Sequence, residues 1–389
     1  MRTTFSVVKR LVVVVATLNV LVLGLLAVAI LIDRAEDSSD AAAVETELPV
    51  TPEATTSLPK EPAESYDDTD DTDDVEDPEA DELSPLAPYP PPYPDPFEPT
   101  DNEVQPEAKR LGTSVAYAAT NYEAGATVDD VLGMLPAASA SMADAMAAEV
   151  QIVHHPGKWS RGTVEYAQLG GHLNGRISIF VVIRQEVGVE GSGEAERVET
   201  RTMEVRLART EAGAWGLETI ASAGGQPVAR PADLSPVAAA VVDHELIDLP
   251  DTSAWDIYAG FIDQQLLRVM LDMAERTPYS VVVLQTGHAY NVFGTDRVSN
   301  HSVGRAVDIY KLESELVVDA HDPSSEVYAL SEWVVSRYDI REFGSPWKFP
   351  DAVAHTFTNE VHHDHLHIGV NPYPSSSEPP PEPEPAAEQ

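Results

Sequence analysis

The first pattern along the chain is an unbroken apolar block. Residues 11–32 (LVVVVATLNVLVLGLLAVAILI) carry no charge and are interrupted only by Thr17, Asn19 and Gly24. At the helical rise this run spans about 30 Å, the thickness of a bilayer's hydrocarbon core, and it predicts a transmembrane helix. It is too long for the apolar region of a cleaved signal, and no clear A-x-A site comes after it. A processed signal peptide is the alternative reading, and either one exports the remainder of the chain. From residue 33 to 102 the periodicity vanishes. DDTDDTDDVEDPEADE (67–82) leads into PLAPYPPPYPDPFEP (85–99), where like charges repel and proline stretches the chain, so a spacer without a core is expected.

Patterned sequence returns near Glu103. VAYAATNYEAG, VDDVLGML and MADAMAAEV read as short amphipathic helices. GTVEYAQLGG, GRISIFVVIRQEVGV, ERVETRTMEVRLART and AWGLETIASA then alternate as strands of an antiparallel meander. After ARPADLSP the chain becomes helical again. DIYAGFIDQQLLRVMLDMAERT places Ile257, Phe261, Leu266, Val269, Met270 and Met273 at helical intervals, and a buried strand, YSVVVLQTG, comes next. Beyond Asn371 the Pro- and Glu-rich end reads as disordered.

Charge narrows the partners. A net charge of −41 over 389 residues argues against a nucleic-acid backbone, which needs clustered Lys and Arg. Arg2, Lys9 and Arg10 precede the apolar block while Asp33, Arg34, Glu36 and Asp37 come after it, so the positive-inside rule puts residues 1–10 in the cytoplasm and the rest outside. The chain has no cysteine, so any metal must be held by His, Asp or Glu.

Two stretches concentrate such residues, SNHSVGRAVDIY (299–310) and EVHHDHLHIGV (360–370). His301, Asp308 and His367 offer two imidazoles and a carboxylate, the donor set of a catalytic zinc with one open position. Gly304 permits a turn between the first two. Period two puts Ala306 and Asp308 on one strand face, and likewise His363, His365 and His367, with Val307, Ile309, Leu366 and Ile368 packed behind. Asp364, three residues before His367, is a carboxylate placed to take a water proton. For it to face the metal, either the strand begins after it or a bulge turns it inward.

Ser299-x-His301-x-x-Gly304-x-Ala306-x-Asp308 followed by Asp364-x-x-His367 resembles the paired motifs of the LAS-type zinc metallopeptidases, the M15 D-alanyl-D-alanine carboxypeptidases and their relatives. The likeness covers about residues 256–371. It implies an α+β fold with a small antiparallel sheet, zinc on His301, Asp308 and His367, Asp364 as general base, and His365 supporting the transition state. The stretch that in many of these enzymes carries an oxyanion-binding Arg reads Thr286-Gly287-His288-Ala289 here, leaving His288 or Arg297 as substitutes. Losing such a donor costs about 10²–10³ in rate. Helices followed by a curved sheet at 103–235 resemble the NTF2-like domains of exported proteins.

The expected chain is therefore α+β with a transmembrane helix (11–32), a disordered linker (33–102), an NTF2-like domain (103–235), a zinc peptidase domain (240–371) and a disordered tail (372–389). The expected activity is hydrolysis of peptidoglycan stem peptides outside the membrane. A zinc-containing wall-binding module and a scaffolding middle domain are the alternatives, and nothing in the sequence fixes an oligomeric state. His154 and His155 read as surface loop residues, His362 and His363 as neighbours of the site, Arg305 as a surface residue facing acidic groups, and Trp347 as a packed turn. His244, His321 and His355 have no partner at useful spacing.

Overall fold

The computed structural model describes residues 90–136, 142–338, 340–350 and 355–372, all of them in one compact unit, 81–389. The predicted transmembrane helix, the spacer up to residue 89 and the tail from residue 373 lie outside them. Among the described residues no helix is long and apolar enough to cross a membrane.

Residues 90–102 hold no helix or strand, yet they are strapped to the fold by their own backbone and aromatic groups. The Arg161 guanidinium lies 4.1 Å from the Tyr93 ring centre and donates to the Pro91 carbonyl at 2.7 Å. Tyr117 donates to the Pro94 carbonyl at 2.9 Å, and Asn102 donates to Asp319 at 2.8 Å.

Three helices come next: α1 (Pro106–Thr120), α2 (Val128–Met134) and α3 (Ala143–Val153). A capping box between Thr127 and Asp130 starts α2. Four strands, β1 (Lys158–Leu173), β2 (Arg176–Val189), β3 (Arg197–Arg209) and β4 (Trp215–Ser222), then form an antiparallel meander in sequence order. Asn174 and Gly175, with φ of 54° and 73°, supply the two left-handed residues of a tight hairpin between β1 and β2. Alternation gives the meander two apolar faces. Ala167, Leu169, Ile179, Val181 and Ile183 join the helices in one core. Tyr166, Phe180 and Val182 point the other way, onto Val282, Val283 and Tyr310 of a second sheet. Tyr166 and Tyr310 stack at 4.6 Å with 12° between their planes. His154, expected at the surface, is buried, because its ring packs against Tyr122 and its Nε2 meets the Ala126 carbonyl at 2.8 Å.

The second half contains α4 (Pro236–Val242), β5 (Ile247–Asp248), α5 (Asp251–Tyr258), α6 (Gln264–Ala274), β6 (Tyr279–Val283), β7 (Ala306–Leu312), β8 (Glu315–Leu316), α7 (Glu326–Arg337), β9 (Ile340–Gly344), β10 (Thr356–Phe357) and β11 (Leu366–Val370). The helix read across residues 256–277 is two helices. Gly260, at φ 72°, ends the first, and Asp263 caps the second by accepting from the Gln265 amide at 2.8 Å. Phe261 therefore sits in the break, 55% exposed, while Ile257, Leu266, Val269, Met270 and Met273 are buried as their spacing predicts.

The molecule is mixed α+β. Where a small antiparallel sheet was expected, seven strands form a mixed one in the order β10-β9-β11-β7-β6-β5, with β8 paired to β7. Its centre is antiparallel, and the two-residue edge strands β5 and β10 run parallel to their neighbours. The parallel pairing of β5 with β6 results from the helical crossover through α5 and α6. Val307, Ile309, Leu366 and Ile368 pack with Leu266, Val269, Met270 and Met273 of α6, so the opposite faces of β7 and β11 turn toward the meander.

Candidate metal centre

The antiparallel register of β7 and β11 sets His367 directly opposite Asp308, and opposed residues share a face of the sheet. His301 reaches them from a short 3-10 turn, His301–Val303, closed by Gly304 at φ 67°. A side-chain carbon on Gly304 would lie 1.8 Å from the Phe261 carbonyl oxygen, so only glycine fits this position of the motif. Its own carbonyl accepts from the Asp263 amide at 2.8 Å, which ties the turn to the start of α6.

The three side chains are buried, and their facing atoms converge. His301 Nε2 is 3.1 Å from Asp308 Oδ1 and 3.2 Å from His367 Nδ1, and His367 Nδ1 is 2.9 Å from Asp308 Oδ1. Ligands 2.0–2.1 Å from a tetrahedral zinc stand about 3.3 Å apart, so these separations suit such an ion. Each group is also held from behind. His301 Nδ1 donates to the Leu284 carbonyl at 2.7 Å, which leaves Nε2 as the lone-pair atom. His367 Nε2 meets Glu342 at 3.1 Å, and Glu342 in turn accepts from Asn300 at 2.5 Å. Asp308 Oδ2 accepts from Gln168 of β1 at 2.6 Å. Partners of this kind fix tautomer and orientation at metal sites, so the residues present fit a divalent cation.

The charges are consistent with that arrangement. Burial pushes the His367 imidazole down, but its hydrogen bonds to the Asp308 and Glu342 carboxylates and their charges together outweigh it and hold the group up at about 9. Burial pushes Asp308 up, and the surrounding histidines, His301 foremost, pull it well below the ordinary carboxylate range. The pocket favours positive charge where the three atoms meet.

Asp364 lies before the start of β11, so the strand does begin after it. Its carboxylate faces away from the three convergent atoms. Oδ2 accepts from Lys109 of α1 at 2.6 Å and from the Leu169 amide of β1 at 2.8 Å, and Tyr166 donates to the Asp364 carbonyl at 3.1 Å. Oδ1 accepts from His365 Nδ1 at 2.7 Å. Burial raises the Asp364 carboxyl, and the charges and hydrogen bonds of Lys109 and His365 together outweigh that, keeping it below its usual value. His365, not Asp364, lines the cleft above the site, with its Nε2 3.8 Å from Asp308 Oδ2.

That cleft holds about 860 Å³ and lies between the two sheets, with Gln168, Gly171 and Phe180 on one side and Asp308, His365 and His367 on the other. Gly171 leaves room for Phe293, whose Cβ would lie 2.4 Å from any added side chain there. His288 stacks on His301 at 4.3 Å and 14°. Burial drives it down to about 3, and its Nδ1 donates to the Ala289 carbonyl at 2.7 Å, so Nε2 of the neutral ring is an acceptor and cannot donate to an oxyanion. Arg297 lies on the cleft wall, largely exposed, with Nη1 3.3 Å from Glu342. His362 borders the cleft beside His365 and His367, and Gly344 makes space for its ring. Arg305 Nε is buried without a hydrogen-bond partner among the described residues, and Trp347 packs edge-on against Tyr328.

Sequence spacing did not identify Lys109, Gln168 or Glu342. Lys109 left one trace, a charge set in the otherwise small and apolar stripe of Gly112, Thr113 and Ala116 on α1. No family model, curated protein or solved structure matches the chain.

Proposed function

We propose that the chain is a zinc peptidase acting on the stem peptides of peptidoglycan. The observation that carries this is the buried His301–Asp308–His367 triad, each member braced from behind, at the floor of an open cleft beside the Asp364–His365 pair. The motif order supports the M15-like reading of the second half. Three helices on an antiparallel meander support the NTF2-like reading of residues 103–235. The apolar block at 11–32 supports a single membrane anchor, with the catalytic part outside the cytoplasm.

His301 Nε2, Asp308 Oδ1 and His367 Nδ1 would hold the ion. A zinc there would lower the pKa of a water at its open position to about 7 and polarise the scissile carbonyl. His365 Nε2, which faces the cleft, takes the water proton as the C–O bond forms. It returns that proton to the leaving nitrogen as the C–N bond breaks. Asp364 keeps the His365 Nδ1 proton in place, so its part in proton transfer is exerted through that ring. The cleft is of a size that buries a short peptide.

Purified full-length protein is expected to carry about one zinc per chain, lost in His301→Ala and in His367→Ala. It is expected to release free amine from a stem pentapeptide. Stem-peptide binding without amine release over hours would sink the hydrolase reading and favour a zinc-containing wall-binding module. His365→Gln should keep its zinc while the hydrolysis rate falls about 10²–10⁴-fold. An unchanged rate would remove His365 from the mechanism.

A further inference from the structure

The helix–meander half meets the metal centre at two separate points. Gln168 projects from β1 on the same face as Tyr166, next to the irregularity between Leu169 and Gly171. It is 1% exposed, and its amide approaches Asp308 Oδ2 at 2.6 Å. A carboxylate only accepts, so the atom facing Asp308 is the amide nitrogen, and Gln168 acts as a donor. With Oδ2 committed in this way, Oδ1 is the oxygen left to face His301 and His367. One residue further along the same strand, the Leu169 amide donates to Asp364, which also accepts from Lys109 of α1. Both acidic side chains of the centre are thus oriented from residues outside the half that carries the motif.

We infer that the helix–meander half is a working part of the catalytic centre, with Gln168 the positioning residue for Asp308 and with Lys109 and the Leu169 amide positioning the Asp364–His365 pair. The inference rests on the proposed metal site. The sheet interface around Tyr166, Phe180, Val282 and Tyr310 becomes the element that keeps the centre in register. Turning the Asp308 carboxylate part-way about its Cβ–Cγ bond would swing Oδ1 off the point where the three donors meet, and the Gln168 hydrogen bond to Oδ2 resists that turn. Partners one bond removed from a metal typically govern its affinity by 10–100-fold.

The test uses the full chain with Gln168→Met, which keeps length and apolar stem but removes the donor. Zinc affinity is measured by competition with a chromophoric chelator, and the visible absorption of the cobalt(II)-substituted protein is recorded beside it. Zinc binding about 10–100-fold weaker than wild type, with a changed cobalt spectrum, is the expected result. A wild-type affinity and an unaltered spectrum would overturn the inference while leaving the proposed metal site standing. A wild-type chain that takes up neither zinc nor cobalt would overturn both. Because Met fits an apolar interface, the variant is expected to fold. An apo melting temperature close to wild type, together with weakened zinc, separates a positioning role from a general structural one.

Discussion

Lys109→Met is expected to destabilise the folded chain by about 3–5 kcal/mol, read as a lowered denaturant midpoint. The ammonium sits between the carboxylates of Glu103 and Asp364, and none of the three side chains is exposed. Removing it leaves two buried acids without their cation, the situation in which a broken buried pair costs most. Burial already pushes Glu103 up to about 7 against the pull of Lys109. These shifts set the sign of the pH dependence. In the wild type the depressed Asp364 contributes stability that is present at neutral pH and lost only as pH falls through its folded value. In the variant the acids titrate higher when folded than when unfolded, so acidification adds stability. The gap between the two proteins should therefore narrow from about pH 8 to about pH 5. A gap of the same size at both ends would assign the loss to packing and not to charge.

The second large effect belongs to Gly304. Gly304→Ala is expected to cost about 2–5 kcal/mol, from the left-handed backbone and from a clash that packed surroundings cannot relieve. The new carbon would meet the Phe261 carbonyl and the Ile262 Cα, both backbone atoms at the approach to α6. Movement there passes directly into the turn that carries His301. Zinc affinity should fall together with thermal stability. A melting temperature within about 2 °C of wild type would contradict the account.

Much of the centre was legible because its two main strands obey simple periodicity. Val307, Ile309, Leu366 and Ile368 had to face one way, which forced Asp308 and His367 the other, and antiparallel register did the rest. Asp364 escapes that rule, because it lies before the start of β11, and its carboxylate meets Lys109 and the Leu169 amide of the helix–meander half. The partner it meets was not legible, because Lys109 and Gln168 lie 255 and 140 residues from the acids they contact. Only the docking of one sheet on another unites them, and no local pattern encodes that. Glu342 was hidden for a similar reason, on a strand whose neighbour, β11, follows only after β10 in the chain. Phe261 misled in the opposite direction. It kept helical spacing across a glycine that ends the helix, so the pattern continued after the backbone had turned.

The strap at residues 90–102 gives the molecule a mechanical character. Tension arriving through the chain ahead of residue 90 meets the Arg161 clamp on Pro91 and Tyr93 first, then the Tyr117 anchor at Pro94, then Asp319 beneath Asn102. These grips lie in series ahead of α1, so they must slip in turn before any strain reaches the helix that carries Lys109. Arg161 and Tyr117 belong to one half of the molecule and Asp319 to the other, so the last grip spans the seam between the sheets. A pull that releases the first two anchors therefore loads the third, the Asn102–Asp319 hydrogen bond that reaches across that seam.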